Sequence, residues 1–326
     1  MSRYDNMTYR RCGKSGVLMP PLSLGLWQNF GAEDDPEKAR ELIFGAFDRG
    51  ITHFDLANNY GPPPGSAEET FGKIMKASLH SHRDELLIST KAGHAMWDGP
   101  YGNWAGRKHL ISSLDQSLKR MNLDYVDIFY SHRHDPDTPL EETMGALDYA
   151  VRSGRALYAG ISKYPASAAG RALEILKEMG TPCLVYQGKY NMMTRDLEGM
   201  LDHILEVSGT GLTVFSPLAQ GMLTSRYLKG IPQGSRASRE GSLKTETLTE
   251  DLLTRLRELN SLAEERGQSL ASLALTWVLR HKGVSSAIVG ASRLEQLDDS
   301  LSCLEAPELS AEELERIDNI LSSNQA

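Results

Sequence analysis

Short apolar runs alternate with longer amphipathic segments along most of this chain. Residues 36–49 are typical of the amphipathic kind, because Leu42, Ile43, Ala46 and Phe47 recur at helical spacing and form one stripe. The runs between such segments are short and mostly apolar, which is typical of strands buried on both faces of a parallel sheet. The pattern therefore predicts repeated strand–helix units.

These units can be counted along the sequence. The predicted strands are 22–25, 53–55, 86–90, 126–130, 156–161, 183–187, 212–215 and 286–289. The predicted helices are 36–49, 67–79, 108–121, 140–152, 165–179, 197–207, 250–266, 270–280, 294–303 and a last one that ends near residue 321. The S-x-x-E pattern at Ser310 and Glu313 predicts a capping box where the last helix begins.

The count favours an α/β fold in the form of a (β/α)8 TIM barrel, as a single domain over residues 1–326. A short β-hairpin precedes the barrel as a plug or cap, and extra helices lie near the C-terminus. The main alternative is a doubly wound sheet, but the dinucleotide fingerprint G-x-G-x-x-G does not occur in the sequence. The long polar segment 218–249 is typical of a lid or binding loop.

The segment THFDLANNYGPPPGSAEE, residues 52–69, joins a strand ending at Asp55 to the next helix. Its three consecutive prolines, residues 62–64, fix their φ angles and remove three amide donors, so this loop has little conformational freedom. Ser66 and Glu69 form an S-x-x-E pattern, which predicts a capping box at the start of that helix. We expect the loop to hold the nearby side chains in a fixed relation.

Chemistry in a barrel is expected where strands meet the following helices. Asp55, with Tyr60 just beyond it, then Lys91 and His132 occupy three successive positions of this kind. A carboxylate serves as the counter-ion of a buried ammonium, and an ammonium beside a phenol lowers the phenol's pKa and makes it a better general acid. A neutral imidazole can orient a carbonyl oxygen toward the same phenol. The pattern predicts protonation of an oxygen as hydride reaches its carbon.

The run His-Arg-His-Asp at 132–135 also allows a metal site. A metallohydrolase barrel needs further histidine or carboxylate ligands on later strand ends. The later ends carry Ser162, Gln187, Phe215 and Ser292. None of these is a good zinc ligand, so the sequence predicts no metal.

The composition of the chain limits the classes of binding partner that we expect. The 35 Lys and Arg against 43 Asp and Glu give a net charge of −8, without a basic block. Nucleic acids and anionic membranes bind clustered cations, so neither is expected. The three cysteines lie far apart, which indicates reduced thiols in a cytoplasm. The N-terminal stretch lacks the apolar core of a signal peptide and no run approaches a membrane span, so we expect a cytoplasmic protein, with a homo-oligomer left open.

The four residues Asp55, Tyr60, Lys91 and His132 resemble the catalytic tetrad of the aldo-keto reductases, and the resemblance covers almost the whole chain. The runs FDLANNYGPPPGSAE, STKAG, DIFYSHR, SPLAQGMLT and GASRLEQL are similar to the bacterial branch of that family that reduces L-glyceraldehyde 3-phosphate, which is related to the β subunits of voltage-gated potassium channels. The resemblance implies NADPH-dependent reduction of small aldehydes, such as glyceraldehyde 3-phosphate and methylglyoxal, with a tyrosine general acid.

The resemblance also implies how NADPH binds in extended form. Ser162 and Gln187 would hold the nicotinamide carboxamide, and Phe215 would stack on the ring. The other implied contacts are Trp27 and Asp55, then Ser216, Leu218, Gly221 and Arg226 along the pyrophosphate, Gly290, Ser292, Arg293 and Gln296 at the 2′-phosphate, and Asp299 at the adenine. The sequence departs from its relatives at Ser300, where an asparagine commonly contacts the adenine, and at His134, where a proline or small residue is common.

The substrate is less well indicated. A phosphorylated aldehyde needs a cationic or amide-rich rim, and the rim candidates are Trp27, Tyr60, Trp97, Tyr101, Arg107 and His132, with Lys108 and Arg133 nearby. These residues fit ordinary rim aromatics and solvated charges equally well.

The alternative is an NADPH-binding regulatory subunit that resembles the channel β subunits. Those proteins commonly have an asparagine where this chain has His132, and some carry long N-terminal extensions. Here the hairpin begins by about Thr8. Both observations favour the enzyme.

Overall fold

The computed structural model describes residues 2–228, residue 230 and residues 248–322. The chain divides into two compact units. The first unit comprises Met1–Gly188, Leu197–Phe215 and Gly283–Leu294, and the second comprises Lys189–Asp196, Ser216–Lys282 and Glu295–Ala326. The single domain expected over residues 1–326 stays a prediction.

An antiparallel hairpin precedes the barrel, as predicted. It consists of β1 (Arg10–Arg11) and β2 (Leu18–Met19). Between them, the Lys14 amide donates to the Gly209 carbonyl at 2.8 Å. Gly13 adopts a φ of +55° there, and a Cβ on it would lie 2.2 Å from that same carbonyl oxygen, so only glycine fits. The buried Cys12 packs with Leu184, which directly precedes a barrel strand.

Eight parallel strands close into a barrel in the first unit, which confirms the predicted (β/α)8 architecture. In chain order they are β3 (Leu22–Gly25), β4 (His53–Asp55), β5 (Leu87–Ala92), β6 (Val126–Ser131), β7 (Ala156–Ser162), β8 (Val185–Lys189), β9 (Gly211–Phe215) and β10 (Val284–Val289), and β10 pairs with β3 to close the ring. The strands are almost wholly buried because helices cover them outside and side chains fill the interior.

The helices of the first unit follow the strands in turn. They are α1 (Pro36–Asp48), α2 (Ser66–Ile74), α3 (Arg107–Met121), α4 (Leu140–Arg152), α5 (Ala166–Glu178) and α6 (Met200–Ser208). Asp35 caps α1 by accepting two backbone N–H groups of its first turn. The single helix predicted over 67–79 ends earlier, because α2 passes into a π-helical turn, Met75–Leu79, and then a 3-10 helix, His80–Glu85.

The capping box predicted at Ser66 and Glu69 is wrong. Gly65, in the left-handed region at φ +94°, caps α2, so Ser66 is already inside the helix. Its hydroxyl lies within hydrogen-bonding distance of the Pro62 and Pro63 carbonyls, at 2.8 and 2.7 Å, and its proton is directed to them. The serine therefore satisfies acceptors of the proline turn and not donors of the helix.

The second unit contains the C-terminal helices. They are α7 (Glu250–Glu265), α8 (Leu270–Leu279), α9 (Leu294–Leu301) from its second residue, and α10 (Ala311–Ser322). The guanidinium carbons of Arg195 and Arg280 lie 4.6 and 3.9 Å from the ring centroid of the fully buried Trp277. The capping box predicted at Ser310 and Glu313 is confirmed by reciprocal bonds of 2.7 and 3.2 Å.

Three further predictions concern the chain as a whole. Cys12, Cys183 and Cys303 are buried and form no disulfide with one another, in agreement with reduced thiols. Of the long polar segment 218–249, residues 229 and 231–247 lie outside the described residues, so its role as a lid or binding loop stays a prediction. Within the described ranges, no helix combines the length and apolar character needed to cross a membrane.

Candidate active site

A buried ion pair lies at the C-terminal ends of the barrel strands. Lys91 Nζ in β5 is 2.7 Å from Asp55 Oδ2 at the end of β4, and the two side chains are 0% and 3% exposed. The ammonium also donates to the Leu56 carbonyl at 2.6 Å. The Ser89 hydroxyl and the Gln187 amide donate to Asp55 Oδ1 at 2.7 and 3.0 Å. Each charge thus has the additional partners that a buried ion pair needs.

Tyr60 meets this pair from the proline loop. Lys91 Nζ donates to its hydroxyl oxygen at 3.4 Å. The carbonyl of Tyr60 accepts from the amides of Gly65 and Ala67 at 3.0 and 3.3 Å, which ties the tyrosine to the start of α2. Trp27, 41% exposed, has its ring centroid 6.4 Å from that of Tyr60.

His132 completes a group that we call the mouth cluster: Asp55, Tyr60, Lys91 and His132. Its ring centroid lies 6.0 Å from that of Tyr60, and the two rings meet edge to face. His132 is 3% exposed, and its Nδ1 is buried without a hydrogen-bond partner in the described part of the chain. The ring that meets Tyr60 therefore carries an unsatisfied nitrogen.

The protonation states of Lys91 and His132 follow from their surroundings. Burial lowers the pKa of Lys91, but attraction to Asp55 and Tyr60 outweighs it, and the net pKa is raised above 10.5. Burial, followed by repulsion from Lys91 and Lys163, lowers the pKa of His132 well below 6.5. At neutral pH the cluster thus holds an ammonium and a neutral imidazole.

The pKa of Tyr60 differs from the expectation. Burial raises it above 10, and the nearby Lys91 ammonium, which lowers it, does not offset that effect. The expected lowering is therefore wrong in its net direction. The phenol keeps its proton at neutral pH, and the ammonium at 3.4 Å is placed to stabilise the oxygen when the proton leaves.

The first unit carries eight of the residues expected around a cofactor. Ser162 ends β7, is fully buried, and its hydroxyl has no hydrogen-bond partner among the described residues. Phe215 ends β9 and is half-buried, and Gln187 lies in β8 beside Asp55. The remaining five are Trp27 and Asp55, described above, and Gly290, Ser292 and Arg293, which follow β10. An unpartnered buried hydroxyl suits an amide-bearing ligand such as the carboxamide of a nicotinamide.

The second unit carries the others. Ser216, Leu218 and Gly221 form a tight turn, in which the Gly221 amide donates to the Leu218 carbonyl at 2.8 Å, and Arg226 lies in the 3-10 turn Ser225–Tyr227. Gln296 and Asp299 lie on α9. Ser300 is buried, and its hydroxyl donates to the Gln296 carbonyl at 2.8 Å, so it is turned toward its own helix.

The substrate candidates are divided between two places. Trp27 and His132 pack beside Tyr60. Arg107 is directed to α4, where it donates to the Gly145 carbonyl at 3.3 Å. Trp97 packs on His109, which is also within hydrogen-bonding distance of the Tyr101 carbonyl. Among the described residues, no hydrogen bond, ion pair or ring contact joins Trp97, Tyr101 or Arg107 to the mouth cluster.

The structure shows a buried polar network on α2 that the sequence did not indicate. Glu68 on α2 is fully buried and accepts from the Thr90 hydroxyl at 2.5 Å and from Arg120 Nε at 2.7 Å. Thr90 directly precedes Lys91 on β5, and Arg120 lies on α3. The network therefore joins α2, whose first turn holds Tyr60, to β5, which carries Lys91. In the sequence, Glu68 and its exposed neighbour Glu69 both read as ordinary acids of a first helical turn.

Glu68→Gln is expected to lower the free energy of unfolding by about 3 kcal/mol, because the largely buried Arg120 loses its counter-charge. The amide oxygen can still accept the Thr90 hydroxyl, so the change removes the charge and the acceptor that face Arg120. Chemical denaturation measures the loss. Glu69→Gln, at the exposed neighbouring position, is the matched control and should stay within about 0.5 kcal/mol of wild type. Equal losses in the two variants would contradict the role assigned to Glu68.

Known proteins resemble this chain along nearly its whole length. A model of the Aldo/keto reductase family matches residues 21–322. The chain is 54% identical over 322 residues to the L-glyceraldehyde 3-phosphate reductase of Escherichia coli O157:H7, which covers 97% of this chain and 93% of that protein. It is 37% identical over 327 residues to a probable voltage-gated potassium channel subunit beta of Arabidopsis thaliana, covering 97% of each. The holo form of a Bacillus halodurans aldo-keto reductase matches with a TM-score of 0.77 at 25% identity, over 96% of both chains.

These similarities and the closed parallel barrel define a (β/α)8 oxidoreductase. More narrowly, the chain belongs to the aldo/keto reductase family, whose members use nicotinamide cofactors, typically NADPH.

Proposed function

We propose that this protein reduces small aldehydes to alcohols with NADPH and that Tyr60 is the general acid. The observation that carries the proposal is the Tyr60 hydroxyl, 3.4 Å from the buried Lys91 ammonium, with the His132 ring packed edge to face against the phenol ring. Glyceraldehyde 3-phosphate is the first substrate to test, because a relative with 54% identity is named for reducing it. Methylglyoxal is the second, as a small aldehyde without a phosphate.

NADPH, when bound, supplies the hydride. The fully buried Ser162 hydroxyl, which lacks a partner within the described residues, suits the carboxamide of its nicotinamide, and Phe215 offers a flat apolar ring for stacking. In the first unit we also assign Trp27, Asp55, Gln187, Gly290, Ser292 and Arg293 to cofactor binding. In the second unit we assign Ser216, Leu218, Gly221, Arg226, Gln296 and Asp299.

The mouth cluster then has four separate tasks. His132 orients the carbonyl oxygen of the aldehyde toward the phenol, and Tyr60 delivers its proton to that oxygen. The Lys91 ammonium stabilises the phenolate that remains, and Asp55, at 2.7 Å, keeps Lys91 charged and in place. Proton delivery by a positioned side chain contributes roughly 100- to 10,000-fold to a rate.

The rate of glyceraldehyde reduction is expected to stay constant between about pH 6 and pH 9. The pKa of Tyr60 is raised, so the acid is fully protonated in this window and is lost only as the pH rises through the raised value. The pKa of His132 is lowered, so the imidazole stays neutral as the pH falls through 6.5. A pH profile of kcat tests this. An inflection near pH 6.5 that disappears in His132→Gln would show that the imidazole gains a proton near that pH. This result would contradict the mechanism.

NADPH is expected to bind at least about 10-fold more tightly than NADH, because a guanidinium contact to the 2′-phosphate is a charge-assisted bond. Arg293→Gln should weaken NADPH binding by about that factor and leave NADH binding unchanged. The dissociation constants of both cofactors, measured by fluorescence titration for both proteins, decide this. Equal weakening of the two cofactors would remove Arg293 from the 2′-phosphate.

A substrate panel tests the reaction itself. Purified protein is mixed with NADPH or NADH and with glyceraldehyde 3-phosphate, glyceraldehyde or methylglyoxal, and cofactor oxidation is followed. The proposal predicts faster oxidation with aldehyde than without. If neither glyceraldehyde 3-phosphate nor methylglyoxal accelerates NADPH oxidation, the assignment of these substrates is wrong.

A further inference from the structure

A row of basic side chains lines the barrel mouth, one level above the mouth cluster. The register of β5, β6 and β7 places Ala92 opposite Ser131, and Ser131 opposite Ile161. The residues two positions further along the chain are His94, Arg133 and Lys163. We call these three residues the basic row. His132, one residue below Arg133, belongs to the mouth cluster. The basic row therefore lies one residue beyond the level of His132.

Arg133 is held in this position by direct contacts. Its Nε donates to the Gly93 carbonyl and its Nη2 to the Asn103 side chain, both at 2.8 Å, and its guanidinium carbon lies 3.7 Å from the Trp104 ring centroid. Its Nη1 has no acceptor in the part of the chain that the structure describes. A preorganised guanidinium with unused donors at a rim suits a bidentate anion. His94 is the third member of the row, with its ring centroid 4.6 Å from that of His132. Burial, then repulsion from Lys163 and Arg133, lowers the pKa of His94 to about 4, so it contributes a neutral imidazole and not a charge.

Lys163 extends the row on the other side. Its backbone amide donates to the Gln187 carbonyl at 3.2 Å, directly after Ser162 at the end of β7. Its ammonium lies 5.4 Å from the ring centroid of Phe215. Lys163 thus directly follows Ser162, and its ammonium lies near Phe215. Both of these residues are assigned to the cofactor.

The two cations of the basic row, Arg133 and Lys163, lack a paired carboxylate among the described residues, although Asp135 attracts Arg133 from beyond pairing distance. Asp135, the acid nearest to Arg133 in sequence, is instead bound by the Ala105 amide and the Thr138 hydroxyl at 3.1 and 2.7 Å. Partial enclosure, then repulsion from Lys91 and Arg133, lowers the pKa of Lys163 to about 8. The mouth therefore carries positive charge that a bound anion would neutralise.

We propose that His94, Arg133 and Lys163 form the subsite for the phosphate monoester of the aldehyde substrate, with Lys163 as its main contact. This inference rests on the proposed reductase function and names its substrate class. A phosphate dianion is matched by two cations, and each contact is charge-assisted. The row lies one residue beyond the level of His132, which is roughly 3 Å along an extended chain. A three-carbon chain spans that distance when its carbonyl is at Tyr60.

Lys163→Gln tests the subsite. With NADPH held at saturation, kcat/KM for glyceraldehyde 3-phosphate should fall by about 10- to 100-fold, the loss expected for one charge-assisted contact. The value for unphosphorylated glyceraldehyde and the dissociation constant of NADPH should stay unchanged. Lys163→Arg should restore most of the lost kcat/KM. Lys177→Gln, on the exposed surface of α5, removes the same charge elsewhere and should leave both substrates unaffected.

Several results would overturn the subsite. An equal fall for both aldehydes would make Lys163 a general support of the mouth. A matching rise in the dissociation constant of NADPH would assign its charge to the cofactor. Equal kcat/KM for the two aldehydes in wild type, with turnover of both, would remove the subsite but leave the reductase function intact.

Binding alone gives an independent readout. If wild-type protein turned over no aldehyde, the proposed function would fail, and calorimetric titration with glycerol phosphate would still decide on the subsite. Binding to wild type that weakens about 10-fold or more in Lys163→Gln would support it. Absent binding, or equal affinity in the two proteins, would overturn it.

Discussion

Tyr60→Phe is expected to lower kcat for aldehyde reduction by about 100- to 10,000-fold and to leave the dissociation constant of NADPH nearly unchanged. The substitution removes only the hydroxyl that Lys91 approaches at 3.4 Å. The ring still packs against Trp27 and His132, and the backbone bonds to Gly65 and Ala67 remain, so the loop keeps its shape. The measurement is steady-state kinetics together with fluorescence titration of the cofactor.

Tyr158→Phe is the matched control, because Tyr158 lies on the barrel strand β7 but is 36% exposed. It loses the same atom at a surface position and should retain wild-type kcat. Full activity of Tyr60→Phe would remove the proposed acid. A parallel loss of activity in Tyr158→Phe would show that the assay reports folding and not proton transfer.

Lys91→Met is expected to abolish turnover and to lower the free energy of unfolding by about 3 to 5 kcal/mol, the usual result of removing one member of a buried pair. Asp55, at the barrel mouth, would keep its bonds from Ser89 and Gln187 but would remain a buried charge without a cation. Chemical denaturation measures the stability term. Lys177→Met, on the exposed surface, controls for the loss of a lysine as such.

A double-mutant cycle with Lys91→Met and Asp55→Asn measures the interaction free energy between the two charged side chains. If the two charges stabilise one another, the double variant should be less destabilised than the sum of the single variants, by at least about 1 kcal/mol. Strict additivity, or a Lys91→Met protein of wild-type stability, would contradict the ion pair as the structural basis of the site.

Much of the fold was predictable because the barrel repeats one simple pattern. β4 occupies 53–55 and α4 occupies 140–152, as the apolar spacing predicts. Local backbone detail was not predictable to the same degree. Near α2, the S-x-x-E pattern indicates a capping serine, but the carbonyls of the proline turn take the hydroxyl of Ser66. The sequence shows which residues neighbour Ser66 along the chain. It does not show which carbonyl groups the folded loop places beside the Ser66 hydroxyl.

The candidate site was predictable in its residue types and less so in its electrostatics. The strand-end positions place Asp55, Lys91 and His132 at one end of the barrel, and a short loop brings Tyr60 to them. The direction of the Tyr60 pKa depends on how deeply the phenol is enclosed, which spacing does not reveal. The burial of Glu68 was hidden for the same reason.

The basic row shows a third limit of sequence patterns. His94, Arg133 and Lys163 lie in three separate loops, and only the register of β5, β6 and β7 shows that they leave the barrel side by side. Interstrand register is a long-range property, so reading one strand end at a time does not reveal this row.

Transfer of a labelled hydride tests the central claim most directly. NADPH that carries deuterium at the transferable position is mixed with wild-type protein and glyceraldehyde 3-phosphate, and the product is analysed by mass spectrometry. The account predicts an alcohol with one deuterium on the former carbonyl carbon, formed at least about 100-fold more slowly by Tyr60→Phe. Tight NADPH binding without labelled alcohol from any aldehyde of the panel would contradict it and favour a regulatory subunit that holds the cofactor without turning it over.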